Sequence, residues 1–500
     1  MPFASRATAV DLSNLPNTLQ TLSNTLFPTL KPIAVNIWNH PEVSTQETFA
    51  HDQVINHFTV PPAAGGWNVT AHAFGLPTAW MLTFEHRPAG YTGDLPVVGF
   101  MSEYDALPAI GHACGHNLIL LNGLHAGSLT RQSLIDYNLP GRVIILGCPD
   151  EEQTAGKKRL LDAGAFDGSD VWALAHPTVT NANQPMQSRV DALLKIVGST
   201  HAEAVHKAYQ QLVIIDDLAG KLPATQTTAT PVEDVGMFSL NVVASENQLG
   251  VVGDLNTINS TVAGIKATNA AFVAVNYTIG TDSNGVVLTF SGKGGHVSEA
   301  QQSPLSLSVE TFRQLTASNP TFTYYLPSNT SIAELDLTVS IRTRYTIDLP
   351  TVQNAILPNI NTIPSSVTFD LAYPAYEVGP YLADRLIEVM QGPTLNEVWV
   401  NSTIAPAATD VGFVQRAVID PNTHMLLSES KATFHPNFGI CPDVTGAGCA
   451  FNHEPAFRDL AGTDLAYTQT EKMARALAQI AVELIADPER MAQATAFIKK

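Results

Sequence analysis

Three short apolar runs, LPVVGFM (95–101), GRVIILGCP (141–149) and VWALAHP (171–177), constrain this chain more than any other feature. Each is rich in branched aliphatic residues, lacks polar alternation and is bounded by turn residues. A strand without alternation is one buried on both faces, as in a parallel sheet covered by helices on either side. Helical spacing over 117–134 and in GKKRLLDAGAF (156–166) supplies covering helices between the runs. The alternation of strand and helix predicts an α/β domain with a largely parallel sheet. Residues 14–58 also read as helical, with a turn at Asn39-His40-Pro41, and a long helix over 464–485 approaches the end of the chain.

From about 186 the texture changes. The strands DALLKIVG (191–198), GVVLTFSG (285–292), AELDLTVSIRT (333–343) and SSVTFDLAY (365–373) dominate, with helices between them at 202–221, 302–316 and 377–391. This predicts a second, α+β domain over 186–392, inserted into a first domain made of 1–185 and 393–500. The insertion carries a candidate duplication. A strand, GSTHAEA (198–204), a helix and LNTINST (255–261) are echoed by a strand, GKGGHVSEA (292–300), a helix and INTIPSS (360–366).

A chain of 500 residues with 45% hydrophobic and 14% charged residues suits two or three packed domains. Its net charge of −19 opposes binding to nucleic acid or to an anionic membrane, both of which need clustered Lys and Arg. No run reaches the length of a membrane span, and the first twenty residues lack the apolar core of a signal peptide. A cytoplasmic setting is therefore expected. The four cysteines, at 114, 148, 441 and 449, are expected to be reduced there.

Chemistry-bearing residues collect just after the buried strands. GHACGHN (111–117) offers Cys114 and His116, a soft thiolate and an imidazole that zinc and related metals accept. Asp150-Glu151-Glu152 follows the second strand. Two free carboxylates in one pocket repel, and a metal relieves this by binding one and leaving the other to take a proton from a metal-bound water. His176 ends the third strand, and His453 lies in a loop before the last long helix. Each feature has a plain structural reading: a packed His, a small core Cys, an acidic helix start. Pattern alone leaves those readings and a metal site both open. A Cys114 nucleophile is a further alternative, but it would not need Glu152, His176 and His453.

The segment GFMSEYDALPAIGHACGHNLI (99–119) resembles the signature of the aminoacylase-like di-metal metallopeptidases. The subgroup it is most similar to contains p-aminobenzoyl-glutamate hydrolase and the β-alanyl-lysine type dipeptidases. Similarity continues in WNHPEVSTQETFAHD (38–52), GCPDEEQTAGKKRLLDAGAFDGSD (147–170), TDVGF (409–413), FHPNFGI (434–440) and NHEPAF (452–457). The resemblance implies a di-metal catalytic domain with an inserted lid. It implies hydrolysis of the amide bond of an N-acyl amino acid, dipeptide or aryl-amino-acid conjugate. Carried onto matching positions, Cys114, His116, Glu152, His176 and His453 would bind two divalent ions, zinc first, with manganese or cobalt also accepted. Glu151 would be the general base. Asp105 and His112 would orient ligands, and Asp410 and His435 would neighbour the site. A lid histidine would steady the oxyanion: His296 of GKGGH, with His201 of GSTHAEA as the competing candidate. A duplicated lid would suit a monomer, a single lid a homodimer. Two departures bear on specificity: Asp150 replaces a small residue, and VTFDLAYPAY (367–376) lacks the arginine that reads a substrate carboxylate. Alternative functions are a pathway-specific hydrolase or amide-forming enzyme, and a non-catalytic metal or ligand binder.

Overall fold

The computed structural model describes residues 10–60, 66–219, 226–231, 242–296, 303–328, 330–443 and 445–498. Five strands near the start of the chain form most of one sheet: β1 (Asn68–Ala71), β2 (Trp80–His86), β3 (Val97–Glu103), β4 (Gly141–Cys148) and β5 (Val171–Ala173). A late strand, Ala432–Phe434, completes it in the order β1-β2-β4-β3-β5-(432–434). Pairing is parallel from β4 to the late strand, and β1 and β2 form an antiparallel margin.

The apolar runs are buried on both faces, as their composition requires. In β4, Val143 and Ile145 face one core, while Ile144, Leu146 and Cys148 face another. In β5, Val171 and Ala173 face the first core, and Trp172 the second. This is the period-two alternation of a strand, with both sides apolar. Helices α1 (Leu15–Asn39) and α2 (His116–Asp136) and the C-terminal helix Asp464–Ala486 pack on the first face. Helix α2 is buried almost all round, which explains why its sequence carries no single apolar stripe. The first core joins residues from Leu15 to Val179 with residues from Leu382 to Ala494. Both ends of the chain therefore share one core, and the middle is an insertion.

The insertion has its own core, from Val190 to Ile360. Its elements are β6 (Ser188–Val197), α3 (His201–Ala219), β7 (Gln226–Pro231), β8 (Glu246–Val252), α4 (Leu255–Thr268), β9 (Asn276–Thr281), β10 (Val286–Ser291), α5 (Pro304–Ser318), β11 (Thr323–Tyr325), β12 (Glu334–Thr343), α6 (Leu349–Ile360) and β13 (Ser366–Phe369). They make two four-stranded antiparallel sheets, ordered β13-β6-β12-β7 and β9-β10-β8-β11. Each sheet with its two helices is a βαββαβ unit, and the two strand orders are the same order read in opposite directions. The second unit, β8 to β11, is threaded between β7 and β12 of the first. The units meet through α3 and α5. Tyr209 Oη lies 2.9 Å from Ser308 Oγ, and Arg313 pairs with Asp216 at 2.5 Å and Asp217 at 2.6 Å.

The duplication is therefore nested rather than tandem. The two Asn-Thr-Ile motifs are not equivalent: LNTINST opens α4, whereas INTIPSS follows α6 and leads into β13. The helix expected at 377–391 also changes sides. Pro380–Met390 packs through Leu382, Leu386 and Val389 into the first core. We propose on these cores that the insertion ends near 371 rather than 392. Among the described residues, no helix is long and apolar enough to cross a membrane.

Leu288, on β10, is fully buried in the core of the insertion. Leu288→Ala is expected to lower unfolding free energy by about 2–5 kcal/mol, read by urea denaturation. Metal binding by the separate first core is expected to persist, and its loss would show that the two cores do not stand apart.

Candidate metal centre

The strand ends set the geometry. Strand β3 ends at Glu103, the chain turns through Asp105, and α2 begins at His116. The turn into α2 is made by Gly115 at φ 85°, where a Cβ would also strike the Pro177 ring at 2.5 Å. Cys114 and His116 are thereby presented together. Strand β4 ends at Cys148 and leads into Asp150-Glu151-Glu152. Gly156 lets that turn close: its N–H donates to the Asp150 carbonyl at 2.8 Å, and a Cβ there would fall 1.8 Å from the Pro149 carbonyl oxygen. His453 sits at φ 71°, with its N–H donating to the Ala113 carbonyl at 2.8 Å. Asn452 donates to the carbonyls of Cys114 and Pro177 at 3.1 and 3.0 Å, bracing the loops of Cys114, His176 and His453 against one another.

The ligand-type atoms converge. Cys114, His116 and His176 form one group, Cys114, Glu152 and His453 a second, and His116, Glu151 and Glu152 a third, each with its atoms within 4.8 Å of one another. Cys114 Sγ lies 3.4 Å from His176 Nε2, and Glu152 Oε1 lies 3.4 Å from His453 Nε2 and 3.6 Å from His116 Nε2. The histidines are oriented from behind. His176 Nδ1 bonds the Pro177 carbonyl at 2.8 Å, and His116 Nδ1 donates to Asp105 at 2.9 Å, so each turns Nε2 to the common space. Asp105 also accepts from Ser44 Oγ at 2.7 Å and from the Glu152 N–H at 3.0 Å. Burial alone would raise its carboxyl, but His116 and these donors outweigh burial and hold it below the ordinary range.

The electrostatics test whether these residues suit metal ions. Among the described residues, Glu103, Asp105, Glu151, Glu152 and Asp410 are all buried, beside the ammonium of Lys157, with the buried guanidiniums of Arg189 and Arg342 also acting on Glu151. Burial, then Glu152 and Glu103, push Glu151 well above the usual carboxylate range. Burial would lower the His116 and His453 imidazoles, yet Cys114 and Asp105 around the first, and Glu152 and Cys114 around the second, raise both far above normal. The pocket thus calls for positive charge where sulfur, nitrogen and oxygen donors already converge. That donor set fits divalent ions.

The remaining candidates separate. Asp410 pairs with Lys157 Nζ and accepts its N–H at 2.8 Å, so it anchors the helix that follows Glu152. His435 is buried 5.7 Å ring to ring from His176 and 5.6 Å from Tyr376, and neither of its ring nitrogens has a hydrogen-bond partner among the described residues. His112 bonds the Ile37 carbonyl at 3.1 Å and packs under α1. His201 is committed within the insertion: Nδ1 bonds the Ile332 carbonyl at 2.5 Å, and Nε2 accepts the Leu326 N–H at 3.0 Å. With both nitrogens used, it has no donor left for a substrate, which corrects its reading as a site residue. The His296 backbone pairs with Val242, and its side chain lies outside the described residues. Its neighbour Lys293 does reach the site, pairing with Glu454 at 2.6 Å and lying 5.0 Å over the Phe451 ring. Asp150 turns away from the ligands to Thr154 and Arg159, which neutralises its charge. Little in the sequence sets Glu103 and Lys157 apart. The only signals were an acid two residues before Asp105 and a lysine at the first turn of a helix.

A cavity of about 460 Å³ opens from Cys114, Glu151, Glu152, His176 and His453. One wall is the loop 441–449, which contributes Thr445 and Gly446. Cys441 and Cys449 are joined there in a disulfide with Cα atoms 6.1 Å apart, where reduced thiols were expected. A tight turn explains the closeness: the Thr445 and Gly446 N–H groups donate to Asp443 at 2.9 and 2.8 Å.

Comparison with known proteins returns the resemblance read from the sequence. The mouse Xaa-Arg dipeptidase is 41% identical over 172 residues, 34% of this chain and 40% of the relative. A p-aminobenzoyl-glutamate hydrolase of Escherichia coli K12 is 29% identical over 162 residues, 29% of this chain and 31% of the relative. The match thus spans well under half the length of these curated relatives. No family model matches the chain. A dinuclear metal-binding peptidase of the M20 family from Bacillus subtilis superposes with a TM-score of 0.51 at 15% identity, over 92% of this chain and 99% of that one. The chain has the M20 peptidase fold. A putative aminohydrolase from methicillin-resistant Staphylococcus aureus agrees, with a TM-score of 0.54 at 12% identity over 95% of this chain and 99% of that one.

Among the described residues, Asp105 touches the centre through His116 and the Glu152 backbone. Asp105→Asn should leave the fold intact and weaken zinc affinity about 10–100-fold, measured by competition with a chromogenic chelator. Unchanged affinity would remove Asp105 from the centre.

Proposed function

We propose that this chain is a metal-dependent amide hydrolase that uses two divalent ions, with zinc as the ion best suited to its Cys/His/Glu donors. The observation that carries the reading is the convergence of Cys114, His116, Glu152, His176 and His453, with Glu151 alongside, at one end of a substrate-sized cavity. The relatives named as a dipeptidase and as an aminobenzoyl-glutamate hydrolase support it. Bound ions would polarise the amide carbonyl and acidify water. Glu151 is the residue placed to take a proton. It lies 3.9 Å from His116 Nε2, opens to the cavity, and holds protons more tightly than an ordinary carboxylate. It would accept the proton of the attacking water and return it to the leaving nitrogen. His296 is proposed as the oxyanion donor, since Lys293, three residues before it, contacts the loop of His453.

Glu151→Gln is expected to keep both ions while kcat falls about 10²–10⁴-fold. Turnover at the wild-type rate would exclude Glu151 as the base.

The cavity wall favours a substrate class. Beyond the ligands it is built from Val179, Ala182, Met186, Ile404 and Ala407, with neutral Thr, Ser, Asn and Gln side chains between them. Among the described lining residues there is no Lys or Arg, and the carboxylates are those of Glu151 and Glu152 at the metal end. An arginine side chain of the substrate would meet no partner in that wall, and Lys293, the lid cation that reaches the site, is already paired with Glu454 rather than free for a second carboxylate. We therefore propose N-acyl amino acids or dipeptides with neutral, apolar side groups. A panel matched in size should show them at least about tenfold better in kcat/KM than Arg- or Glu-bearing analogues, a gap of about 1.4 kcal/mol. A preference for the Arg-bearing member would overturn this assignment and leave amide hydrolysis standing.

A further inference from the structure

Glu103 ends β3 with its side chain buried. Its two oxygens face different ways. Oε1 pairs with Lys157 Nζ, and Lys157 is shared with Asp410. Oε2 accepts no hydrogen bond among the described residues and stands 3.5 Å from His116 Nε2. His116 has already spent Nδ1 on Asp105, so Nε2 is the atom it turns to the centre.

Three carboxylate oxygens surround that nitrogen: Glu103 Oε2 at 3.5 Å, Glu152 Oε1 at 3.6 Å and Glu151 Oε2 at 3.9 Å. None comes within the 2.7–2.9 Å of a charge-assisted hydrogen bond. All three stand off the nitrogen by more than a hydrogen bond. Ligands held about 2.1 Å from one tetrahedral ion stand roughly 3.4 Å apart. Glu103 stands at nearly the same distance from His116 Nε2 as Glu152, yet it belongs to none of the three groups of converging ligand atoms, so it faces His116 from beside the ligand set. Lys157 is shared between Glu103 and Asp410, so it does not belong to Glu103 alone.

We propose that Glu103 is a further residue of the metal centre, and that its Oε2 faces and stabilises the ion held by His116. Lys157 locks the other oxygen, so Glu103 acts through a single oxygen of fixed direction. This rests on the metal reading above and adds a member to the centre.

The test is metal binding by the full chain, titrated with zinc alone in calorimetry and with cobalt(II) followed by its visible absorption. Glu103→Gln is isosteric and should weaken one of two ions about 10–100-fold, shift the cobalt bands of that site and leave the other ion as in the wild type. Glu103→Asp keeps a charge for Lys157 but withdraws the oxygen by about one methylene. It secures the fold, and the same site should weaken again. Wild-type affinities and an unchanged cobalt spectrum in either folded variant, with thermal stability alone reduced, would make Glu103 a structural partner of Lys157 and overturn the proposal. A wild-type chain that binds no ion would instead overturn the metal reading itself.

Discussion

At the carboxyl ends of β3 and β4 the fold gathers Glu103, Asp105, Glu151 and Glu152 into one buried space, with Asp410 close behind. Like charges at this depth repel strongly, and Lys157 answers only part of them. The two histidines most enclosed by these acids respond by holding protons well above their ordinary range. Positive charge brought into such a pocket, from bound ions or from these imidazoles, relieves that repulsion. The main architecture around it can be understood as a way of bringing acids, imidazoles and a thiol together and keeping them dry.

The sheet does most of that work. Because β3, β4 and β5 run parallel, their ends open on one edge, and each delivers its own polar cluster there. The strands can be wholly apolar because helices cover both faces, so chemistry is confined to the ends. The late part of the chain then closes the site, with His453 docked on Ala113 and Asn452 tying the loops of Cys114 and His176 together. The insertion enters through Lys293, which grips Glu454 beside His453. Two nested βαββαβ units give it a core of its own, and so a body that can cover the cavity without disturbing the sheet.

Much of the half that carries the candidate centre was legible in the sequence because its signals are local. An unbroken apolar run such as GRVIILGC has one comfortable place, a doubly covered strand, and the polar triplet after it must then sit at a strand end. Cys114, His116, Glu152, His176 and His453 follow from that reasoning together with the motif resemblance. Other features were hidden for physical reasons. Glu103 and Lys157 look like an ordinary acid and an ordinary helix-start lysine, and only the tertiary fold shows that they are buried against each other. His201 sits in a stretch that imitates the lid motif, yet its role is decided by the Ile332 carbonyl and the Leu326 amide, contributed from more than a hundred residues away. The repeat is legible but its pairing is not, because a short Asn-Thr-Ile match carries no information about which end of a helix it occupies. The Cys441–Cys449 bond depends on the turn at Asp443, which eight residues of sequence do not announce.

The most direct test of this account is the number of divalent ions held by the purified chain, measured by elemental mass spectrometry after loading and removal of free metal. The proposed centre predicts two per chain. A value near zero under saturating zinc, manganese and cobalt would contradict it, because the acids would then have to be neutralised by protons alone.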